Sequence, residues 1–267
     1  MTWNPLKKNY LTQRPTAASP LLSHQEDQEL DLVVQRLIYV ESAIRKLTKE
    51  MKKYTGALVN LDRADQRLSM NLIGCGVVQS NDEYRKIVED YFSVATQVGK
   101  NVQEMTSLCH RMFVEPLKKF RNEFAAIAAA VMKREDLVAA WKYSHNRVKK
   151  LQEKKDRTAS HIAKLERERR TEEVAARELK TVHAQLLTEL PAFLEKRLDY
   201  INPSIHAVIM IQLNYYGHAT QLYTQLMPIQ HSFESTLNAT QVPEDEYQRA
   251  VTAELNRLRA LTIVKDN

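Results

Sequence analysis

Residues 30–72 read LDLVVQRLIYVESAIRKLTKEMKKYTGALVNLDRADQRLSMNL. Within them Leu30, Val33, Leu37, Val40, Ile44, Leu47, Met51, Tyr54, Leu58, Leu61, Asp65, Leu68 and Leu72 recur at alternating intervals of three and four. That spacing keeps the thirteen positions on one narrow stripe of a long helix, and such a stripe needs one or two partner helices along its whole length. Asp65 is its one polar member. It fits a register-setting polar group or, less economically, a catalytic carboxylate. Ser23 and Glu26 have the spacing of a capping box at the helix start. Gly74-Cys75-Gly76 predicts a stop with glycine in a left-handed cap.

A second capping box is expected at Ser80 and Glu83, followed by a second stripe. It passes through Ile87, Val94, Val98, Val102, Met105, Cys109 and Met112, then Leu117, Phe120, Phe124, Ile127, Val131, Val138, Trp141, Val148 and Leu151. Pro116 lies inside it and should kink the helix. A helix of that span is about 110 Å long at 1.5 Å per residue, so the molecule must be elongated. A turn is expected over residues 154–160, where Asp156, Thr158 and Ser160 favour a helix start. The third helix carries Ile162, Leu165, Leu179, Leu186, Leu190, Phe193, Leu198, Ile205, Ile209, Leu213 and Tyr216, with kinks expected at Pro191 and Pro203.

The apolar content around Ile205, Ile209, Leu213 and Tyr216 exceeds what one stripe needs, and a helix apolar on two sides must bury both. Self-association through these four residues is the expectation. Domain organisation follows: a basic, proline-broken head (1–22), a three-helix domain (23–227), a linker (228–243) and a short C-terminal helix with a tail (244–267).

Charge is concentrated at the hairpin turn. Residues 147–170 hold ten basic and four acidic side chains, leaving 29 of each elsewhere (39 less 10, 33 less 4), so the whole net charge of +6 resides there. A solvated helix face explains such a run, as does an anion-binding surface. No aromatic residue lies between Tyr143 and Phe193 to stack on bases, which argues against nucleic acid. Anionic lipid headgroups need only charge density, and Arg147, Lys149, Lys150, Lys154, Lys155, Arg157 and Lys164 are the candidates. In the head, Trp3, Leu6 and Tyr10 share one side of a short helix, with Lys7 and Lys8 beside them. That segment suits either an unstructured tail or insertion into a lipid interface.

No phosphate-binding glycine loop, HExxH or GxSxG occurs, and the eight histidines show no ligand spacing. His145 and His183 fall near the stripes and read as packing residues. The expectation is no catalytic residue, no metal and no cofactor. Five glycines in 267 residues, about 2% against a usual ~7%, disfavour ordinary globular packing. The longest apolar runs fall well short of the ~20 residues of a membrane span. Cys75 and Cys109 form no paired motif and suggest reduced thiols in a cytoplasmic protein.

Three stretches give the chain a family resemblance: Val114-Glu115-Pro116-Leu117-Lys118-Lys119-Phe120, Lys150-Leu151-Gln152-Glu153-Lys154-Lys155-Asp156, and Leu187-Thr188-Glu189-Leu190-Pro191-Ala192-Phe193 with Arg197-Leu198-Asp199-Tyr200. They resemble the BAR-domain family of amphiphysins and bridging integrators, over essentially the whole chain. The resemblance implies an all-α fold, a long kinked antiparallel three-helix coiled coil that dimerises into a crescent-shaped six-helix bundle. By position in the family pattern, Lys133 and Arg134 would line the concave face, and Lys154, Lys155 and Arg157 the tip. It also implies anionic membrane lipids and a second BAR chain, the same or another, as partners. Peripheral attachment at the cell cortex and links to actin, endocytosis and cytokinesis or septation belong to the same expectation. Pro5, Pro15 and Pro20 break the head, which favours scaffolding or curvature sensing over insertion. The alternative is a coiled-coil adaptor for actin regulators or Rho-type GTPases, with the basic tip as a protein docking site.

Overall fold

The structure is a computed structural model and describes residues 11, 14–154, 158–227 and 244–260. Among these residues the regular elements are all helices: α1 His24–Ile73, α2 Gly76–Gln79, α3 Asp82–Cys109, a π-helical turn His110–Val114, α4 Glu115–Gln152, α5 Ala159–Thr224 and α6 Glu244–Arg259. They fall into two units, residues 1–224 and 225–267.

The local signals act where helices begin. The Ser23 hydroxyl accepts from the Glu26 N–H while the Glu26 carboxylate accepts from the Ser23 N–H at 2.8 Å, so the capping box is present. The next start is shifted by one residue from expectation. Asn81, not Ser80, caps α3, its side-chain oxygen accepting from the N–H groups of Glu83 and Tyr84. An extended Asn one bond from the first turn reaches two orphan donors that Ser80 cannot. Gly74 ends α1, but at φ −73° and not in the left-handed region, because the chain turns directly into α2.

Pro116 is accommodated by the wide turn before it. The Glu115 N–H reaches back five residues to the His110 carbonyl, so the ladder is already re-phased where proline withdraws its donor. In α5, Pro191 and Pro203 interrupt the ladder without ending the helix. The Ser204 hydroxyl donates to the Tyr200 carbonyl at 3.0 Å beside the second interruption.

The first unit is a three-helix coil. Asp27, Glu41 and Asp62 of α1 meet Arg134, Arg121 and Gly99, so the α3–α4 rod runs antiparallel to α1. The α5 rod returns antiparallel to α4, with Phe120 against Tyr200, Phe124 against Phe193 and Arg147 against Glu168. With 66 residues α5 is about 100 Å long. Gly99 marks a close crossing: a Cβ there would lie 2.5 Å from Asp62 Oδ1 and 2.6 Å from Gln66 Nε2. The largest core cluster joins Leu30, Leu37, Ile44, Leu117, Phe124 and Leu190. Phe120 stacks on Phe193 and Tyr200 at 5.2 Å each, bringing the Pro116 and Pro191 stretches into one aromatic group.

The α1 stripe is buried at Leu30, Leu37, Ile44 and Leu58 but open at Leu47, Leu61 and Leu68. In the single chain its second flank has no cover there. Ile87 and Met112 of the α3 stripe are likewise exposed. The 228–243 segment lies outside the described residues. In the second unit, α6 exposes Val251, Leu255 and Leu258 along one side.

Candidate functional site

The far end of the α4–α5 hairpin is closed by polar contacts. His161 Nε2 lies 3.1 Å from the Leu151 carbonyl, and the Thr158 hydroxyl accepts from the His161 N–H ahead of α5. Behind the turn, His145 Nδ1 is 2.6 Å from Glu172 Oε1, and Trp141 stacks on the His145 ring at 5.3 Å. His145 is thus a packing residue with a carboxylate partner.

The basic residues of this end divide into two groups. Arg147 is engaged: its guanidinium is 2.6 Å from Glu168 and lies over the Tyr143 ring at 5.5 Å. Lys149, Lys150, Lys154 and Lys164 are exposed and form no ion pair with a described residue. Lys149 and Lys150 occupy the last turn of α4, where the helix dipole favours positive charge. Lys155 and Arg157 lie outside the described residues. Lys133 is exposed along α4. These exposed ammonium groups lie at one end of the α4–α5 hairpin, an arrangement suited to an extended anionic surface more than to a single enclosed anion.

Arg134 corrects the expectation made for it. Its side chain is fully buried, with Nη2 3.0 Å from Asp27 Oδ1, Nη1 2.6 Å from Glu135 Oε1 and the same nitrogen donating to the Thr16 carbonyl. It faces no surface, so it does not line one. What covers it is a strap of residues 14–22, a segment expected to belong to a separate head. The Thr16 N–H donates to Glu135 at 3.0 Å, the Ala18 N–H to Asp27 at 2.8 Å, and Arg14 sits 3.8 Å from Asp31. Ala18 and Leu22 pack against Val138, Trp141 and Leu179. Further along, Leu11 is buried in the main core and its N–H donates to Glu41 at 3.3 Å, while Glu41 pairs with Arg121 at 3.7 Å. His183 is buried beside Arg134, Asp27 and Glu26, and burial holds its pKa below the ordinary histidine value. Charge and hydropathy patterns did not reveal this node. The available signal was an acid-free segment punctuated by Pro15 and Pro20 ahead of a helix with acids at positions 27, 31 and 41. Trp3, Leu6, Lys7, Lys8 and Tyr10 lie outside the described residues.

The four residues expected at a self-association surface do form one open stripe. Ile205, Ile209, Leu213 and Tyr216 lie along α5 at intervals of four, four and three, between 44% and 65% exposed. Tyr54 of α1 borders the stripe, its hydroxyl 3.4 Å from that of Tyr216; burial and this neighbour push the Tyr54 pKa up to about 12. Among the described residues no helix is long and apolar enough to cross a membrane, and no three His, Cys, Asp or Glu are placed to hold a metal.

A family model described as BAR domain matches residues 23–230. The chain belongs to the BAR-domain family. Its members are non-catalytic proteins that dimerise and bind and shape membranes. Human bridging integrator 3 is 27% identical over 232 residues, covering 87% of this chain and 88% of that protein. A Candida albicans protein named regulator of cytoskeleton and endocytosis is 24% identical, covering 86% of each. The solved BAR domain of Drosophila amphiphysin superposes with a TM-score of 0.62 at 15% identity, over 80% of this chain and 94% of that one. The BAR fold therefore accounts for α1, α3–α4 and α5 as one three-helix unit.

Proposed function

We propose that this chain is a dimeric BAR scaffold that binds, and senses or shapes, curved anionic membranes through the ends of its arms. Lys149, Lys150, Lys154, Lys155, Arg157 and Lys164 supply the charge, with Lys133 nearer the rod's body. The observation that carries the reading is the set of exposed lysines, without ion-pair partners among the described residues, at the end of the α4–α5 hairpin. Such lysines are worth about 1 kcal/mol each close to an anionic surface. The open stripe of Ile205, Ile209, Leu213 and Tyr216 supports pairing into a crescent-shaped six-helix dimer, which carries two such ends. Each end then holds the other near the surface. The name of the Candida relative, which mentions the cytoskeleton and endocytosis, supports a role in those processes; a place at the cell cortex, with actin regulators or Rho-type GTPases as further partners, belongs to the same proposal. Trp3, Leu6, Lys7, Lys8 and Tyr10 are an auxiliary insertion segment in this reading.

Co-sedimentation with phosphatidylserine vesicles and with phosphatidylcholine vesicles, across a salt series, tests it. Binding to the anionic vesicles that weakens as the Debye length falls from ~8 Å at physiological salt to ~3 Å at 1 M is expected. Equal binding to both vesicle types, or none, contradicts the proposal.

A further inference from the structure

His183 is buried on α5, and neither of its ring nitrogens has a hydrogen-bond partner among the described residues. The charges around it come from every helix packed there. Glu26 and Asp27 face it from α1 and Arg134 from α4, while Lys180, nearly one turn earlier on α5, bears on Glu26. Glu135 joins the set through Arg134, 2.6 Å away. Loss of solvent and the Arg134 cation disfavour a charged ring, and the two carboxylates with the Glu26 backbone only partly offset them.

Both carboxylates are already committed. Asp27 Oδ1 lies 3.0 Å from Arg134 Nη2, and Oδ2 accepts from the Ala18 N–H at 2.8 Å. Glu26 Oε2 accepts from the Ser23 N–H at 2.8 Å and from its hydroxyl at 2.7 Å. A protonated ring carries two N–H donors, and a buried donor without an acceptor is costly. Such a ring must therefore draw Asp27 or Glu26 from a partner. Asp27 anchors the strap, which is the most weakly fixed part of this node. Residues 14–22 are non-helical, and Ala18 and Leu22 are their only buried side chains. Besides Asp27, the strap has the Thr16 N–H on Glu135 and the Thr16 carbonyl on Arg134. Parting the helices instead would break the core around Leu30, Phe124 and Leu186.

We infer that His183 is an acid-operated latch on residues 14–22: a proton on its ring takes Asp27 from the Ala18 N–H, and the strap lifts from α4 and α5. The closed strap holds the ring neutral, and the lifted strap lets it charge. Closure is therefore favoured fully above ~6.5, the ordinary histidine value, and is lost as pH falls from there through the lower value of the closed form. Lifting uncovers Val138, Trp141 and Leu179 and removes the carbonyl that helps enclose Arg134. The latch stands independently of the membrane reading.

Amide exchange in the full-length chain tests it, expressed at each pH as protection relative to the unfolded sequence. The Thr16 and Ala18 N–H groups are bonded to carboxylates, and those of Leu21 and Leu22 to the Ala18 carbonyl. At pH ~5 a histidine freed to its ordinary ~6.5 is protonated about 30 times more often than not. From pH ~7.5 to ~5, protection at these four amides should fall by about 10- to 30-fold. In His183→Gln it should stay within about 2-fold. Low urea should leave the four amides nearly unchanged, because lifting the strap exposes little surface, while Phe124 in the core loses protection. No fall, a fall that survives in His183→Gln, or strap amides as urea-sensitive as Phe124 overturns the inference. Histidine ring shifts in NMR titrations give the reciprocal check without the Gln variant. One wild-type ring should titrate below ~6.5 and move toward it in Ala18→Glu, where a carboxylate against Asp27 keeps the strap lifted. A wild type without such a ring, or a ring that Ala18→Glu leaves in place, equally overturns the latch.

Discussion

Replacing Arg134 by Met separates a structural role from a lipid-contact role. The guanidinium is fully buried and touches Asp27 at 3.0 Å, Glu135 at 2.6 Å and the Thr16 carbonyl. Asp27 is itself only 10% exposed at its side chain, so removing the cation strands a carboxylate that water barely reaches. Breaking a buried pair by deleting one partner costs about 3–5 kcal/mol. For a unit of this size each kcal/mol shifts the melting temperature by about 2–4 °C, giving a fall of roughly 6–20 °C. Asp27→Asn in the same chain removes the stranded charge and should recover a large part of the loss, while Lys133→Glu, one residue away and exposed, should leave the melting temperature within a degree or two. The assay is thermal unfolding followed by circular dichroism at one fixed protein concentration, since dimer stability depends on it. An Arg134→Met chain that melts like wild type but loses vesicle binding would refute the argument and make Arg134 a lipid contact after all.

Stability should also depend on His183. Its folded pKa is lowered by burial, so below the unfolded value of ~6.5 the unfolded chain takes up a proton that the folded chain does not. The stabilisation is complete above ~6.5 and is lost as pH falls through the depressed folded pKa; His183→Gln should flatten that slope in urea titrations at successive pH values. Charging the open stripe with Ile209→Asp should weaken dimerisation by about 100-fold or more, because two symmetry-related copies each lose roughly 1.5–3 kcal/mol of burial; the chain stays helical, as Ile209 is half-exposed in one protomer, and sedimentation equilibrium reads the change. Gly99→Leu should destabilise by about 1–3 kcal/mol through overpacking against Asp62 and Gln66, measured as a lower urea midpoint.

The three long helices and their pairing were legible because heptad spacing is a local, repeated signal, reinforced at Ser23 by a capping box. The one-residue shift from Ser80 to Asn81 was not, since both are good caps and the choice depends on where α2 ends. Arg134 was misplaced for a physical reason: an arginine beside an exposed Lys133 looks like surface charge until the folded-back strap supplies the carbonyl and closes the pocket around it. Glu41 escaped notice similarly, falling one residue off the apolar stripe yet wholly buried against Arg121 and the Leu11 N–H. Such polar burial is set by long-range contacts that periodicity does not encode. Leu47, Leu61, Leu68, Ile209 and Leu213 are apolar yet exposed in the single chain, which is what the proposed pairing of two chains would account for.

The claim that the hairpin end meets an anionic membrane is tested most directly by Lys149→Glu/Lys150→Glu/Lys154→Glu. All three side chains are exposed and without ion-pair partners among the described residues, so helicity and dimerisation should be retained. Each protomer changes by six charge units. At about 1 kcal/mol per apposed lysine, losing three contacts on each of two linked arms should lower the partition onto phosphatidylserine vesicles by at least about 100-fold at physiological salt. A folded, dimeric triple variant that sediments with those vesicles as wild type does would contradict the account.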